Sequence, residues 1–152
     1  MKLAEALAER ADCQKKIEKL KERLVNCVRV QEGEQPIEDP NALLKDLRAT
    51  HDRMTDLVTR INRTNATTDF TPGTTLSDAL AQRDHLVMLR ASLTRVIEAA
   101  SIRADRMTRS EVKYVSAISV RDLQVEADAG AQAHRKLDSR IQELNWTTEL
   151  LS

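Results

Sequence analysis

The chain has 152 residues, a length typical of one domain. Its 24 Lys and Arg residues balance 24 Asp and Glu residues. This zero net charge argues against a general polyanion-binding protein, which is usually basic overall. Three glycines, three prolines and three aromatic residues in a chain rich in Ala, Leu, Glu and Arg favour long helices.

Apolar residues recur at helical spacing from Leu3 to Val28 and predict a first helix over roughly residues 2–27. Cys13 and Cys27 suit no metal motif, and on one helix they would lie about 21 Å apart. We therefore expect reduced thiols in a cytoplasmic protein. The charged N-terminal segment lacks the apolar core of a signal peptide, and no stretch approaches the roughly 20 apolar residues of a transmembrane helix.

The second helix is predicted to follow a short strand-like segment at Val28–Gln31 and a Gly/Pro loop. Asp39 is a strong N-cap, and Pro40 suits the first helical position. A stripe with spacings of three and four residues then predicts a face that packs on a partner helix, and two of its members are polar. The stripe contains Leu44, Leu47, His51, Met54, Val58, Ile61 and Asn65.

Capping boxes predict where the last two helices begin. Thr75–Asp78 starts a third helix, after a turn at Pro72-Gly73, and that helix is expected to exceed 30 residues. A second strand-like segment is predicted at Val112–Val115. Ser119–Asp122 starts a fourth helix over roughly residues 120–145, with His134 on its inner face.

The chain repeats itself. The segment LAEALAER at 3–10 matches LSDALAQR at 76–83, and RINRTNATTDF at 60–70 matches RIQELNWTTEL at 140–150. We predict a single domain, 1–152, with an internal repeat at 2–70 and 75–150. The expected fold is mostly α, with duplicated long helical hairpins that resemble a four-helix bundle with coiled-coil packing, and with a small β element at one end.

The shared N-x-T-T motif is predicted to end a helix in each copy. Each Asn would take the left-handed C′ position, and the threonines would continue as extended backbone. Phe70 and Leu150 would then cover the end of the bundle, with Trp146 packed there or on a neighbouring subunit. A ligand site shared by the two motifs is the alternative. The candidate residues are Asn65, Thr67, Thr68, Asn145, Trp146, Thr147 and Thr148.

These motifs, together with VQEGEQPIEDP at 30–40 and SEVKYVSAISV at 110–120, resemble a bacterial family of uncharacterised proteins that is best populated in actinobacteria. Some members of that family carry the label septicolysin. The resemblance covers the whole chain. It implies no catalytic residues, and its label implies a membrane-active cytolysin as an alternative function.

No enzyme motif is present in the sequence. His51 and His134 lack the accompanying Glu of di-iron bundles, and the chain has neither a G-x-S-x-G elbow nor a glycine-rich phosphate loop. We expect no enzymatic activity, no cofactor and no metal. A basic cluster follows the third helix, where the helix dipole accounts for it, and nucleic-acid contact is the less favoured interpretation. The cluster contains Arg103, Arg106, Arg109 and Lys113.

The third helix carries apolar residues on more than one face. Leu86, Leu93 and Ala100 lie on one face, and Leu89 and Val96 lie on another. The shorter helices of one chain cannot cover both faces, so we predict a homo-oligomer. The predicted function is a non-enzymatic, self-associating structural or interaction module with no nucleic-acid partner. The alternatives are the cytolysin, or a small-ligand or metal site inside the bundle.

Overall fold

The structure, a computed structural model, describes residues 1–101 and 114–152 of the chain. The described residues form four helices and a two-stranded sheet, which confirms the prediction of a mostly helical protein with a small β element. The helices are α1 Leu3–Cys27, α2 Pro40–Thr67, α3 Leu76–Ser101 and α4 Val120–Thr147, and the strands are β1 Asp69–Thr71 and β2 Thr74–Thr75.

The predicted helix starts are confirmed, and each has the expected cap. The carboxylate of Asp39 accepts a hydrogen bond from the Asn41 amide at 2.9 Å, with Pro40 at the first helical position. Before α3, Asp78 accepts from the Thr75 amide at 2.7 Å. Before α4, the Ser119 hydroxyl accepts from the Asp122 amide at 3.2 Å. Capping chemistry therefore locates these helix ends from the sequence.

The strands lie elsewhere than predicted. Val28–Gln31 is not a strand, and the chain turns shortly after it at Gly33, whose φ is +88°. Tyr114 and Val115 are not in a strand either, and Val112 and Lys113 lie outside the described residues. The two strands instead flank the predicted Pro72-Gly73 turn, where Gly73 has the φ of +84° that the third position of a type II turn requires.

Contacts divide the chain into two compact units. Unit 1 is Met1–Asp69 with Glu143–Ser152, and unit 2 is Phe70–Gln142.

In unit 1, α1 packs along α2. Their buried side chains include two free cysteines. Two ion pairs at the surface also involve α1. Glu9 of α1 pairs with Arg53 of α2 at 2.7 Å, and Arg23 of α1 pairs with Glu38 of the loop before α2. One apolar cluster of this unit contains Leu20, Leu24, Cys27 and Leu43, with Leu44 and Leu47 packed against it.

The stripe predicted for the second helix is partly wrong. Its apolar members are buried or half-buried, but His51 is exposed. The buried polar residues of α2 are Thr50 and Thr64, one turn or less from the predicted positions. A threonine can enter the core because its hydroxyl donates to the carbonyl one turn earlier, whereas an imidazole has no such local partner.

In unit 2, α3 and α4 are joined by an ion pair between Arg83 and Asp138 at 3.5 Å. Only Leu76 and Ala79 of α3 are buried. The internal repeat stays a prediction, and three pairs of residues at matching repeat positions are buried in both copies. The pairs Leu3 and Leu76, Ala6 and Ala79, and Ile61 and Ile141 are all buried.

Candidate functional site

The N-x-T-T motifs end helices, but not at their asparagines. Both Asn65 and Asn145 lie inside the last helical turn, and no described residue other than glycine has a positive φ. The prediction of a left-handed C′ asparagine is therefore wrong. In α2 the cap is Thr68, whose φ of −81° and ψ of 121° are those of extended backbone.

Threonine hydroxyls satisfy the carbonyls at these helix ends, which explains why each helix runs past its asparagine. Thr67 donates to the Arg63 carbonyl at 2.9 Å, and Thr68 donates to the Thr64 carbonyl at 2.7 Å. Thr147 donates to the Glu143 carbonyl at 2.9 Å. The hydroxyl protons are thus used within the helices, as in other threonine-rich helix ends.

The second motif leads into a segment that pairs with the start of the chain. Lys2 and Glu149 form an antiparallel β-bridge. The Leu3 amide donates to the Thr148 carbonyl at 3.0 Å, and the Leu150 amide donates to the Met1 carbonyl at 2.9 Å. Residues 145–150 are therefore ordered, as predicted, and Leu150 is buried as the predicted cover.

Glu149 is the charged centre of this pairing. Its carboxylate lies 2.7 Å from the Lys2 ammonium and 3.3 Å from the ammonium of Met1. The hydrogen bond from Lys2, followed by that from the terminal ammonium, lowers the pKa of Glu149 below its ordinary value. The pairing is therefore favoured when Glu149 is ionised.

Thr64 connects the pairing to α2. Its side chain is almost fully buried, it donates to the Arg60 carbonyl at 2.8 Å, and it accepts from the Leu151 amide at 3.0 Å. The Arg60 guanidinium donates to the Leu151 carbonyl at 2.8 Å. No sequence motif singles out Thr64, although its helical spacing from Ile61 and Leu57 indicates the buried face of α2.

Trp146 does not pack on the end of the bundle, which is one of its two predicted environments. Its side chain is 65% exposed, while its neighbour Asn145 is buried. The residue falls on the outer side of the last turn of α4, because the inner side is occupied by Ile141 and Asn145. Contact with a neighbouring subunit, the other predicted environment, stays a prediction.

The two histidines that the sequence singled out lie in different units. His51 is exposed on α2, and His134 is half-buried on α4. His134 borders a cleft of about 480 Å³ in unit 2, which is lined from α3 by Leu86, Val87, Arg90, Ala91 and Thr94. Within residues 1–101 and 114–152, no three His, Cys, Asp or Glu side chains are grouped so that they could hold a metal ion.

The basic cluster of Arg103, Arg106, Arg109 and Lys113 lies outside the described residues.

Several large apolar side chains of α3 are exposed. Its side chains Val87 and Met88 are 52% and 70% exposed, and Leu89 and Val96 are exposed as well. Leu86, Leu93 and Ala100 are half-buried, so the prediction of apolar residues on more than one face holds. Isolated exposed apolar residues are common, whereas a large contiguous apolar patch is typical of an interaction surface. No helix in the part of the chain that the structure describes is long and apolar enough to cross a membrane.

Comparison with known proteins gives a family and a close structural match. A model of a family described as one of unknown function, DUF6847, matches residues 10–150. A crystal structure described as that of a functionally unknown conserved protein from Corynebacterium diphtheriae is similar at 44% sequence identity. The match covers 99% of each chain with a TM-score of 0.92. No curated protein matches the chain.

These matches agree with the predicted resemblance to a bacterial, uncharacterised family, and neither of them carries the septicolysin label. Because the family model spans most of the chain, the protein belongs to DUF6847, a family of unknown function.

Proposed function

We propose that this protein is a non-enzymatic helical module that associates with copies of itself through the exposed apolar surface of α3. The observation that carries this proposal is the contrast between two helices of similar length. Seven residues of α1 are buried, whereas two residues of α3 are buried in spite of its many apolar side chains. Association would remove those apolar side chains from water, and each Å² of apolar surface buried in this way stabilises the complex by about 25 cal/mol.

The titratable groups with altered pKa values support a structural role. Among the described residues, each of these groups lies in an ion pair at the surface or in a helix cap rather than in a cleft. Arg53 lowers the pKa of Glu9, Arg23 lowers the pKa of Glu38, and the Thr75 amide lowers the pKa of Asp78. Active sites instead tend to shift pKa values by burial beside a charged partner in a cleft. The two buried, unpaired cysteines support a reducing, cytoplasmic location.

Light scattering coupled to size-exclusion chromatography tests the proposal. The full chain is expected to elute with a mass that rises with concentration toward a multiple of the chain mass. Substituting Met88 by Asp should shift this equilibrium toward the monomer. The control is Val25→Asp, which changes a similarly exposed apolar residue of α1, 75% exposed against 70% for Met88, and should leave the association unchanged. A single-chain mass across the micromolar range would overturn the proposal.

A leakage assay addresses the membrane-active alternative. Vesicles of phosphatidylcholine with phosphatidylglycerol, loaded with a fluorescent dye, are expected to retain the dye at a large excess of protein. Release of the dye by the full chain would replace self-association with membrane activity as the function of the exposed apolar surface.

A further inference from the structure

One stripe of α3 has the arrangement of charge that two-fold pairing requires. Asp84, Met88, Ala91 and Arg95 follow one another at spacings of four, three and four residues, so they share one face of the helix. All four are exposed. The stripe carries an acidic residue at one end, two apolar residues in the middle and a basic residue at the other end.

We propose that the partner of this stripe is the same stripe on a second copy of the chain, with the two α3 helices antiparallel about a two-fold axis. The inference rests on the proposed self-association and specifies its partner and register. A two-fold interface must be complementary to itself, because each residue meets the residue related to it by the axis. A stripe with opposite charges at its two ends meets that condition when it is turned end to end.

The stripe fixes the register. Only an axis that passes between Leu89 and Arg90 exchanges its ends and its middle residues at once. Asp84 then faces Arg95 of the second copy, and Met88 faces Ala91. Both contacts occur twice in the dimer, so one substitution alters two contacts.

No other charged residue of α3 opposes this register. The same axis puts Glu98 opposite Ala81 and Arg90 opposite Leu89, and it puts Arg83 opposite Val96. No like charges therefore face each other along the helix. A shift by one turn would move Asp84 and Arg95 away from each other and against apolar residues.

The contacts that α3 makes within its own chain leave the stripe exposed, and only Ala91 of its four residues also lines the cleft beside His134. Asp84 lies 3.3 Å from the adjacent Arg83, but its side chain is 66% exposed, and Arg83 also pairs with Asp138. Arg95 makes no ion pair with another described residue. Met88, the central apolar side chain, is 70% exposed. An exposed Met beside an Ala suits a close helix–helix contact, because the small residue leaves room for the flexible one.

Charge reversal and its repair test the register. Asp84→Arg places two basic residues against each other at each end of the stripe, and Arg95→Asp does the same with acidic residues. Each single variant is expected to raise the dimer dissociation constant about tenfold or more. The double variant Asp84→Arg with Arg95→Asp restores opposite charges and should return the constant to within about threefold of the original. Circular dichroism confirms that each variant is folded.

Two matched controls lie on α4. Glu126→Arg and Arg121→Asp reverse exposed charges of the same unit outside the stripe, and neither should change the dissociation constant. Sedimentation velocity across a dilution series measures all five proteins beside the unaltered chain. If the unaltered chain stays a monomer, the proposed function fails and this inference fails with it. If the chain associates but the single variants do not weaken it, or the double variant does not repair it, the two-fold register is wrong and self-association stands.

Discussion

Thr64 connects the end of α2 to the C-terminal segment of the chain. It is almost fully buried, and its hydroxyl both donates to the Arg60 carbonyl and accepts from the Leu151 amide. Thr67, one turn away in the same helix, uses its hydroxyl only within α2 and is exposed. Comparing substitutions of the two threonines therefore separates a hydroxyl that binds the C-terminal segment from one that bonds only within α2.

Thr64→Val keeps the shape of the side chain and removes both hydrogen bonds. Because the Leu151 amide loses its acceptor, we expect a loss of about 1–2 kcal/mol in the free energy of unfolding, measured by urea denaturation. Thr67→Val should cost less than about 0.5 kcal/mol. Equal effects of the two substitutions would contradict the role given to Thr64.

Trp146 provides an optical test at the residue scale. Because its side chain is 65% exposed, its fluorescence should be quenched by acrylamide almost as efficiently as that of the urea-unfolded chain. Association through α3 should not alter this, so quenching should stay the same as the protein concentration rises. Protection of Trp146 at high concentration would instead place the residue in the interface.

The sequence predicted part of this region, missed Thr64 and misplaced the helix end. It predicted a helix end at each N-x-T-T motif and an ordered C-terminal segment, and both are observed. It misplaced the helix end by about one turn, because asparagine propensity was weighed above the capacity of threonine hydroxyls to satisfy the last carbonyls. The segment 145–150 pairs with the first residues of the chain. Local sequence patterns do not predict a contact between segments so far apart in the sequence.

At the scale of elements, the contact of α1 with α2 includes a charged pair that responds to pH. Glu9 accepts two hydrogen bonds from Arg53, at 2.7 and 2.9 Å. That hydrogen bonding lowers the pKa of Glu9 in the folded protein. A lowered folded-state pKa stabilises the protein above the unfolded-state pKa, and this stability is lost as the pH falls through the folded-state value.

Glu9→Gln should therefore lower stability at neutral pH by about 0.5 kcal/mol, since both partners are partly exposed. The difference between variant and original chain should disappear as the pH falls below the folded-state pKa of Glu9. Thermal unfolding followed at several pH values measures this, with Glu22→Gln, an exposed carboxylate of the same helix, as the control. A difference that persists in acid would show that Glu9 acts through packing rather than charge.

The pairing of the chain ends is the second element-scale contact. Removing residues 149–152 deletes the bridge to Lys2, the buried Leu150 and the hydrogen bond to Thr64. We expect the truncated chain to lose about 3 kcal/mol of stability, mainly through Leu150. Trp146→Ala, which removes a larger but exposed side chain from the same region, should have little effect. A truncated chain that melts with the full one would show the pairing to be dispensable.

Helices were predictable from the sequence and strands were not. Asp39, Thr75 and Ser119 each mark a helix start by local hydrogen bonding, so a few adjacent residues decide the outcome. Val28–Gln31 alternates like a strand, but a strand also needs a partner, and none is adjacent to it among the described residues. The Pro72-Gly73 turn reverses the chain, so β1 and β2 become each other's partners.

At the scale of the whole molecule, the two units differ in how far their apolar side chains are covered. In unit 1 the apolar faces of α1 and α2 cover each other, whereas in unit 2 the apolar surface of α3 stays largely in water. The sequence predicted this surplus from the spread of Leu86, Leu89, Leu93 and Val96 around one helix. The sequence did not reveal the stripe from Asp84 to Arg95. A stripe can pair with a second copy only if its residues are exposed, and their exposure is known only from the structure.

Amide hydrogen exchange at two protein concentrations shows whether α3 is the surface through which the chains associate. One concentration is chosen below the association midpoint and the other above it, with both monitored by mass spectrometry of peptides. We predict that exchange slows at the higher concentration in peptides covering residues 84–96 of α3, and that peptides of α1 and α2 are unchanged. Association that protects α1 or α2 while the α3 peptides exchange at the same rate would contradict the account.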